Sequence, residues 1–564
     1  MHNTSSPARN MMPFRQYRAF PRVELKDRTW PDKRIEVSPK LVSVDLRDGN
    51  QALINPMDVE TKLRFFGELV RIGFTEIEVG FPASSEIEFE FIRRLIDENR
   101  IPEHVTIQVL TQSREELIRR TFEALKGVPR AIVHLYNSTS ELQRRVVFNL
   151  DKEGIIEIAT TGATLIKELA ALQPETDWTF EYSPESFTGT ELEFAKQICD
   201  AVTAIWQPTR DKKVIINLPA TVEMSSPNLF ADMIEWMHRY LARRDSIILS
   251  LHPHNDRGMG VAAAELGIMA GGERIEGTLF GNGERTGNVD IVTFALNRMT
   301  EGVDPELNLS DIPALVRLSE DCTGIEVHPR HPYAGELAFV AMSGSHQDAI
   351  KKGTDAMSRR NSDIFEVPYI PIDPRHIGRE YRPVRVNSQS GKGGVAYLMK
   401  ELYHLDLPRG LQIELSGVVQ KATEVSGGEM LPEQLWSLFM AEYLERDNPL
   451  RLVEHSNMPG KTKGIRVVQA TVIFNGVEMK IEGEGNGVVN AFVNALAPLC
   501  ATPIDVLDLF EHAVSSGAAS SAVSYIPISV PGRESVWGVG MNNDTTKAHL
   551  LAVVCAVNRA IAMQ

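Results

Sequence analysis

From Lys40 onward the chain alternates short β-branched runs with longer segments in which apolar residues return every three or four positions. The first pattern predicts strands and the second amphipathic helices. The strand segments are KLVSVDL (40–46), FTEIEVG (74–80), TIQVLT (106–111), AIVHLYN (131–137), WTFEYS (178–183), VIINLPAT (214–221), SIILSLHPH (246–254) and RIEGTLFG (274–281). Between them lie helical patterns such as DVETKLRFFGELVRIG, SREELIRRTFEALKG, TELEFAKQICDAVTAIW and NLFADMIEWMHRYLARR. Strand-helix alternation implies a parallel sheet with crossover helices. Eight such units in about 260 residues match a closed (β/α)8 TIM barrel. An open doubly wound sheet is the alternative, but no glycine-rich dinucleotide turn follows the first strand.

Past residue 330 the periodicity breaks into a mixed stretch containing SGSHQDAIKKG, VPYIPIDP and NSQSGKGG, which reads as mostly helical linker subdomains with loops. Near 430 it changes again. TVIFNGVEMKIEGEGNG followed by VVNAFVNALAPL predicts a hairpin with an Asn-Gly turn, a glycine-rich bend and a helix. SAVSYIPISVPGRESVWGVG followed by TTKAHLLAVVCAVNRAI repeats that order, so the C-terminal part reads as a duplicated α+β domain. The expected organisation is an N-terminal arm (1–37), the barrel (38–330), the linker subdomains (331–430) and the C-terminal domain (431–564).

Composition narrows the function. At 564 residues, 43% hydrophobic and 24% charged, the chain has the balance of a globular protein of two or three domains. A net charge of -16 argues against a nucleic-acid partner, which needs a basic face. No apolar run approaches the roughly 20 residues that span a bilayer, so no membrane partner is expected. Cys199, Cys322, Cys500 and Cys555 form no CxxC pair, which suits a reducing, cytoplasmic setting. Residues 1–23 carry Arg9, Arg15, Arg18 and Arg22 without an acid, as transit segments do, but two prolines and a polar start favour an ordinary arm.

In a barrel enzyme the chemistry sits where strands end and helices begin. Strand one opens into Arg47, Asp48 and Gln51; strand four presents His134; strand five reaches Ser183 and Glu185. Strand six ends at Thr221, strand seven at His252 and His254, and strand eight opens into GNGERTGN with Asn282, Glu284, Arg285 and Asn288. Two histidines two apart on a strand face one side, and strand one lies close enough for Asp48 to add a carboxylate. A His-His-Asp set without thiol suits Mg2+, Mn2+ or Zn2+ as a Lewis acid, whereas HxH alone could be a polar turn. Arg47 could stabilise charge on a substrate oxygen or form a surface salt bridge. Glu185 could act as a general acid or base or serve as a helix cap. The GNGERTGN loop could take a phosphate or simply turn.

LRDGNQ with Lys62 downstream, and LSLHPHNDRGMGVA, resemble the two signature segments of the 2-isopropylmalate and homocitrate synthases. YSPESFTGTE, LPATVE, FGNGERTGN, SGSHQDAI and VNSQSGKGGVAY resemble the longer bacterial form of 2-isopropylmalate synthase, from about residue 15 onward. The resemblance implies condensation of acetyl-CoA with 3-methyl-2-oxobutanoate (2-ketoisovalerate) and water to 2-isopropylmalate and CoA, the committed step to leucine. It implies that Asp48, His252 and His254 bind a divalent cation, Mg2+ foremost, with Asn288 as ligand or near-ligand and K+ as an activator. Arg47 would polarise the ketone, Thr221 would hold the carboxylate, and His134 and Ser183 would line the oxo-acid pocket. Glu185, with His346 and Tyr369 from the linker, matches residues of the acid-base steps. A domain-swapped homodimer would bring those two to the barrel mouth. The C-terminal repeat resembles the family's leucine-binding regulatory domain, with SSGAASSA as a possible close approach for ligand.

Rival readings are homocitrate or citramalate synthase, an acyl-CoA lyase or carboxyltransferase barrel, and a metal-dependent amino-acid sensor. The first pair differ in the oxo-acid pocket. The second lack the linker and repeat domain. The third leaves the barrel rim unexplained.

Overall fold

Residues 16, 18–341, 344–360, 364–383, 392–426, 430–500, 504–514, 520–530 and 533–563 are described by the computed structural model. The β-branched runs form β1 (Lys40–Ser43), β2 (Glu76–Gly80), β3 (Thr106–Gln112), β4 (Arg130–Ser138), β5 (Asp177–Glu185), β6 (Val214–Ala220), β7 (Ile247–Pro253) and β8 (Arg274–Gly277). They close in chain order into one parallel barrel, with Leu41 of β1 opposite Ile275 of β8. The expected TIM barrel is thus the observed fold.

Alternation along each strand sorts the side chains. Ile77, Val79, Ile107, Val109, Val133, Leu135, Leu249 and Leu251 are fully buried in the apolar core. The opposite period places Glu78, Gln108, His134, Glu181, Asn217, Ser250 and Glu276 within the barrel, also buried. Glu78 registers with Gln108, and His134 with Glu181, so these polar residues form a layer. The interior of this barrel is therefore charged and hydrogen-bonded at a level where many barrels carry aliphatic residues.

Helices α1 (Val59–Arg71) and α2 (Glu86–Asp97) begin where a side chain takes up a free N–H. Asp58 accepts from the Thr61 amide at 2.8 Å, and Ser85 from the Glu88 amide at 3.2 Å. The end of the N-terminal arm is fastened to helix Pro227–Tyr240: Arg28 Nε lies 2.7 Å from Asp232, and the Thr29 amide 2.9 Å from Glu235.

Two strands stop earlier than their apolar patterns predict. β1 ends at Ser43, and a π-helical turn, Asp45–Gly49, follows, with the Arg47, Asp48 and Gly49 amides all converging on the Val44 carbonyl. Asp45 draws the chain aside, because its carboxylate accepts from the Ser43 hydroxyl at 2.7 Å and the Leu279 amide at 3.0 Å. β8 ends at Gly277, where a Cβ would stand 2.6 Å from the Val289 carbonyl.

Chain contacts divide the molecule into two compact units, the described part of Met1–Ala338 with Ile372–Glu380, and Phe339–Pro371 with the described part of Tyr381–Gln564. In the second unit the duplicated order is observed. Strands Leu450–Pro459, Arg466–Phe474 and Val477–Gly485 form an antiparallel sheet followed by helix Val488–Leu496; hairpin Ala522–Val530/Arg533–Asn542 is followed by helix Thr545–Ala562. Asn475 (φ 49°) and Gly476 (φ 82°) make the tight left-handed turn expected of Asn-Gly. Each repeat has two glycines facing its helix. A Cβ at Gly483 would lie 2.4 Å from the Ala491 carbonyl, and one at Gly538 would lie 2.0 Å from the Ala552 carbonyl. NSQSGKGG and SSGAASSA fall largely outside the described residues.

Candidate active site

All the predicted rim residues except Asn282 and Asn288 line one cleft of about 330 Å3, Arg47, Asp48, His134, Ser183, Glu185 and Thr221 among them. Asp48 sits on the π-helical turn rather than on β1, and His254 lies one residue beyond β7, bridged to Asn288. The convergence survives both shifts. His254 Nε2 lies 3.2 Å and His252 Nε2 3.6 Å from Asp48 Oδ2. Asn288 adds its Oδ1 at 2.7 Å from His252 Nε2 and its Nδ2 at 2.8 Å from Asp48 Oδ2. One ligand atom from each of Asp48, His252 and His254 falls within 4.8 Å of the others, and all three residues are buried.

This donor set fits a hard or borderline divalent cation: two imidazole nitrogens, one carboxylate oxygen, an amide oxygen beside them and no thiolate. The electrostatics agree. Burial alone would raise the Asp48 carboxyl, but Arg47 and then the two histidines hold it well below the usual carboxylate range. Burial opposes charge on His252, yet hydrogen bonds to Asp48 and Glu276 outweigh it and raise the imidazole to about 10. A group of anions and acceptors thus draws a proton to the place where a cation would be held.

Arg47 is no surface salt bridge. Its side chain is 10% exposed, with Nη1 2.5 Å from Asp48 and Nε 2.5 Å from Glu78. Glu78 in turn receives His134 Nδ1 at 2.8 Å and Gln108 Nε2 at 3.0 Å. That contact places the His134 proton on Nδ1, so Nε2 accepts the Ser183 hydroxyl at 2.7 Å, while Asn217 donates to Ser183 Oγ at 3.0 Å. Burial works against the Glu78 charge, but Arg47 and His134 keep its carboxyl lowered. Glu185 is half-buried and accepts from Ser186 Oγ at 2.7 Å and Gln143 Nε2 at 3.2 Å. The Thr221 hydroxyl accepts the Ser186 amide at 2.9 Å, and its carbonyl accepts His254 Nδ1 at 2.7 Å. Asp256 pairs with Arg285 at 2.6 Å, and Asn255 accepts the Gly260 amide at 2.9 Å, so both shape the turn after His254.

His346 and Tyr369 belong to the second unit, where their rings stack with centroids 4.0 Å apart and an interplanar angle of 21°. Both side chains are exposed.

Sequence reasoning missed the layer beneath the cleft: Glu78, Gln108, Glu181, Asn217, Arg274 and Glu276. A signal was present. On β5 and β7 the polar residues recur at every second position up to the rim, as Glu181-Ser183-Glu185 and Ser250-His252-His254, and on β6 Asn217 stands four positions before Thr221 on the same inward period.

Comparison with known proteins agrees with this geometry. The HMGL-like family matches residues 38–318, the alpha-isopropylmalate synthase post-catalytic domain-like family residues 336–400, and the LeuA allosteric (dimerisation) domain residues 429–561. The 2-isopropylmalate synthase of Parafrankia sp. is 55% identical over 97% of this chain and 98% of its own length. That of Pseudomonas savastanoi pv. phaseolicola is 52% identical over 98% of both chains, and that of Ralstonia pickettii 53% over 98% of this chain and 96% of its own. With identity of that order from end to end and the metal-type triad at the barrel mouth, the chain belongs to the 2-isopropylmalate synthase family.

Proposed function

We propose that the chain condenses acetyl-CoA with 2-ketoisovalerate and water to give 2-isopropylmalate and CoA; its relatives are named 2-isopropylmalate synthase. The observation that carries this reading is the buried Asp48–His252–His254 triad at the mouth of the barrel. Mg2+, Mn2+ or Zn2+ bound there supplies Lewis acidity to the ketone of the oxo acid. Asp48, His252 and His254 would hold it, with Asn288 beside them, and K+ would serve as an activator.

Arg47, fixed between Glu78 and Asp48, steadies charge that develops on the substrate oxygen. Thr221 holds the substrate carboxylate, and the linked His134 and Ser183 line the pocket. The acetyl methyl loses a proton to a base, the new C–C bond forms at the ketone carbon, and its oxygen gains a proton. Water then breaks the thioester and CoA leaves. Glu185, His346 and Tyr369 serve the proton transfers. The C-terminal domain, 431–564, binds leucine as a feedback inhibitor, in a homodimeric cytoplasmic enzyme. Among the described residues no helix is long and apolar enough to cross a membrane.

The test is thiol release from acetyl-CoA with 2-ketoisovalerate, pyruvate or 2-oxoglutarate, before and after exhaustive EDTA treatment. Expected are 2-ketoisovalerate preference, loss of activity with EDTA, recovery with Mg2+ or Mn2+, and inhibition by leucine. Preference for 2-oxoglutarate would point to homocitrate synthesis, preference for pyruvate to citramalate synthesis; EDTA-insensitive activity would remove the metal from the scheme.

A further inference from the structure

We infer that Glu276, at the centre of β8, is the positioning residue that sets the tautomer and orientation of the proposed metal ligand His252. The inference rests on the metal-dependent reading above and deepens it.

Glu276 is fully buried and both its oxygens are filled. Oε2 accepts from His252 Nδ1 at 2.8 Å and Asn217 Nδ2 at 2.9 Å; Oε1 accepts from Gln108 Nε2 and Arg274 Nη1, each at 2.8 Å. A carboxylate held by four donors can only accept, so Nδ1 of His252 carries a hydrogen. Nε2, turned toward Asp48 and the Asn288 amide oxygen, carries the other one in the metal-free site, and that is the hydrogen a bound cation would displace, so Nε2 is the ligating atom. A carboxylate behind a ligating imidazole also raises its basicity and fixes the ring plane.

The two histidines are oriented by different means. His254 Nδ1 donates to the main-chain carbonyl of Thr221, which no substitution removes. His252 depends on a side chain, and so its orientation can be tested.

A second role for Glu276 can be set aside on the same geometry. Ligand atoms of His134, Glu181 and Glu276 also lie within 4.8 Å of one another, and neither Glu181 oxygen has a hydrogen-bond partner among the described residues. The Arg274 guanidinium, however, stands 3.4 Å from Glu181 and 2.8 Å from Glu276. With a fixed cation there, the Glu276 oxygens occupied and the His134 nitrogens facing Glu78 and Ser183, Glu181 alone is left to ligate and the guanidinium opposes a second metal ion. The carboxylate of Glu276 therefore serves His252.

Glu276→Gln keeps shape and volume but replaces one oxygen with an NH2. Arg274, as the charged donor, retains the amide oxygen. The NH2 then faces His252 Nδ1 and drives its hydrogen to Nε2. In titrations of the metal-free full chain with Mn2+ alone, followed by the signal of free Mn2+, the Kd is expected to rise roughly 10- to 100-fold over wild type. Wild-type binding with an unchanged Kd in Glu276→Gln overturns the inference and leaves the metal reading standing. Absence of Mn2+ binding by wild type overturns both. If the variant does not fold, 15N spectra of the histidine rings in the wild-type chain loaded with Zn2+ decide the matter. His252 protonated on Nδ1 and ligated through Nε2 is expected; ligation through Nδ1 overturns the inference.

Discussion

Lys62 does not line the cleft, yet its replacement by methionine should be among the more damaging changes to the barrel. Its side chain is fully buried and pairs with Glu88, whose side chain is 12% exposed. The ammonium also contacts the Val79 carbonyl at 3.4 Å and lies 4.9 Å from the centre of the Phe91 ring. Glu88 receives two further donors, both long, Asn50 Nδ2 at 3.3 Å and the Phe81 amide at 3.3 Å. Asn50 in turn accepts the Met57 amide at 2.7 Å, directly after the turn that carries Arg47 and Asp48. Lys62→Met therefore leaves a buried carboxylate supported only by two weak neutral contacts. Removing one partner of such a pair costs about 3 to 5 kcal/mol, whereas an exposed pair such as Arg210–Asp245 contributes about 0 to 1 kcal/mol. Lys62→Met combined with Glu88→Met removes both charges and should recover most of the loss. Urea unfolding followed by near-ultraviolet circular dichroism measures all three chains. A single variant within about 1 kcal/mol of wild type, or a double variant no better than the single, would refute the claim that this pair is shielded from solvent.

Arg47→Lys keeps the charge but loses the fork that spans Glu78 and Asp48, and should lower kcat/KM about 100-fold or more; unchanged steady-state kinetics would sink the role given to Arg47. Gly538→Ala drives a methyl into the Ala552 carbonyl and should destabilise the second unit by about 1 to 3 kcal/mol, measured as an earlier unfolding transition for that unit alone. Glu191 accepts both arms of Arg144 at 2.8 and 2.9 Å; burial opposes its charge, but Arg144 and Lys152 bring the carboxyl from 4.5 down to about 2. Its contribution is thus complete above pH 4.5 and lost as pH falls toward 2, so the stability gap between wild type and Glu191→Gln should close over that window. A gap that stays constant down to pH 2 would contradict the pairing.

The eight strands and the convergence of His252 with His254 were legible because both follow from period: alternation marks strands, and HxH on an extended chain puts both rings on one side. The layer formed by Glu78, Gln108, Glu181, Arg274 and Glu276 was not, although Glu78, Gln108 and Glu181 each stand between two apolar residues. A charge in a strand reads as solvent-facing unless its counter-charge is known, and the Gln108–Glu276 contact joins positions 168 residues apart. The early end of β1 was hidden for a similar reason. LVSVDL continues the apolar pattern to Leu46, and what diverts the chain is an amide of Leu279 arriving from the last strand. His346 and Tyr369 came from resemblance alone, since neither periodicity nor spacing singles them out.

The glycine pairs in the C-terminal repeats have a mechanical consequence. Where a Cβ at Gly538 or Gly540 would meet the main chain of Ala552 or Ala548 at 2.0 or 2.1 Å, helix and strand touch through backbone rather than through side chains. Side-chain layers can slide by exchanging rotamers, but two backbones in contact have no such compliance. Helix Thr545–Ala562 and its hairpin must therefore shift as one body, which makes each repeat a stiff lever rather than a cushion for any displacement applied to it.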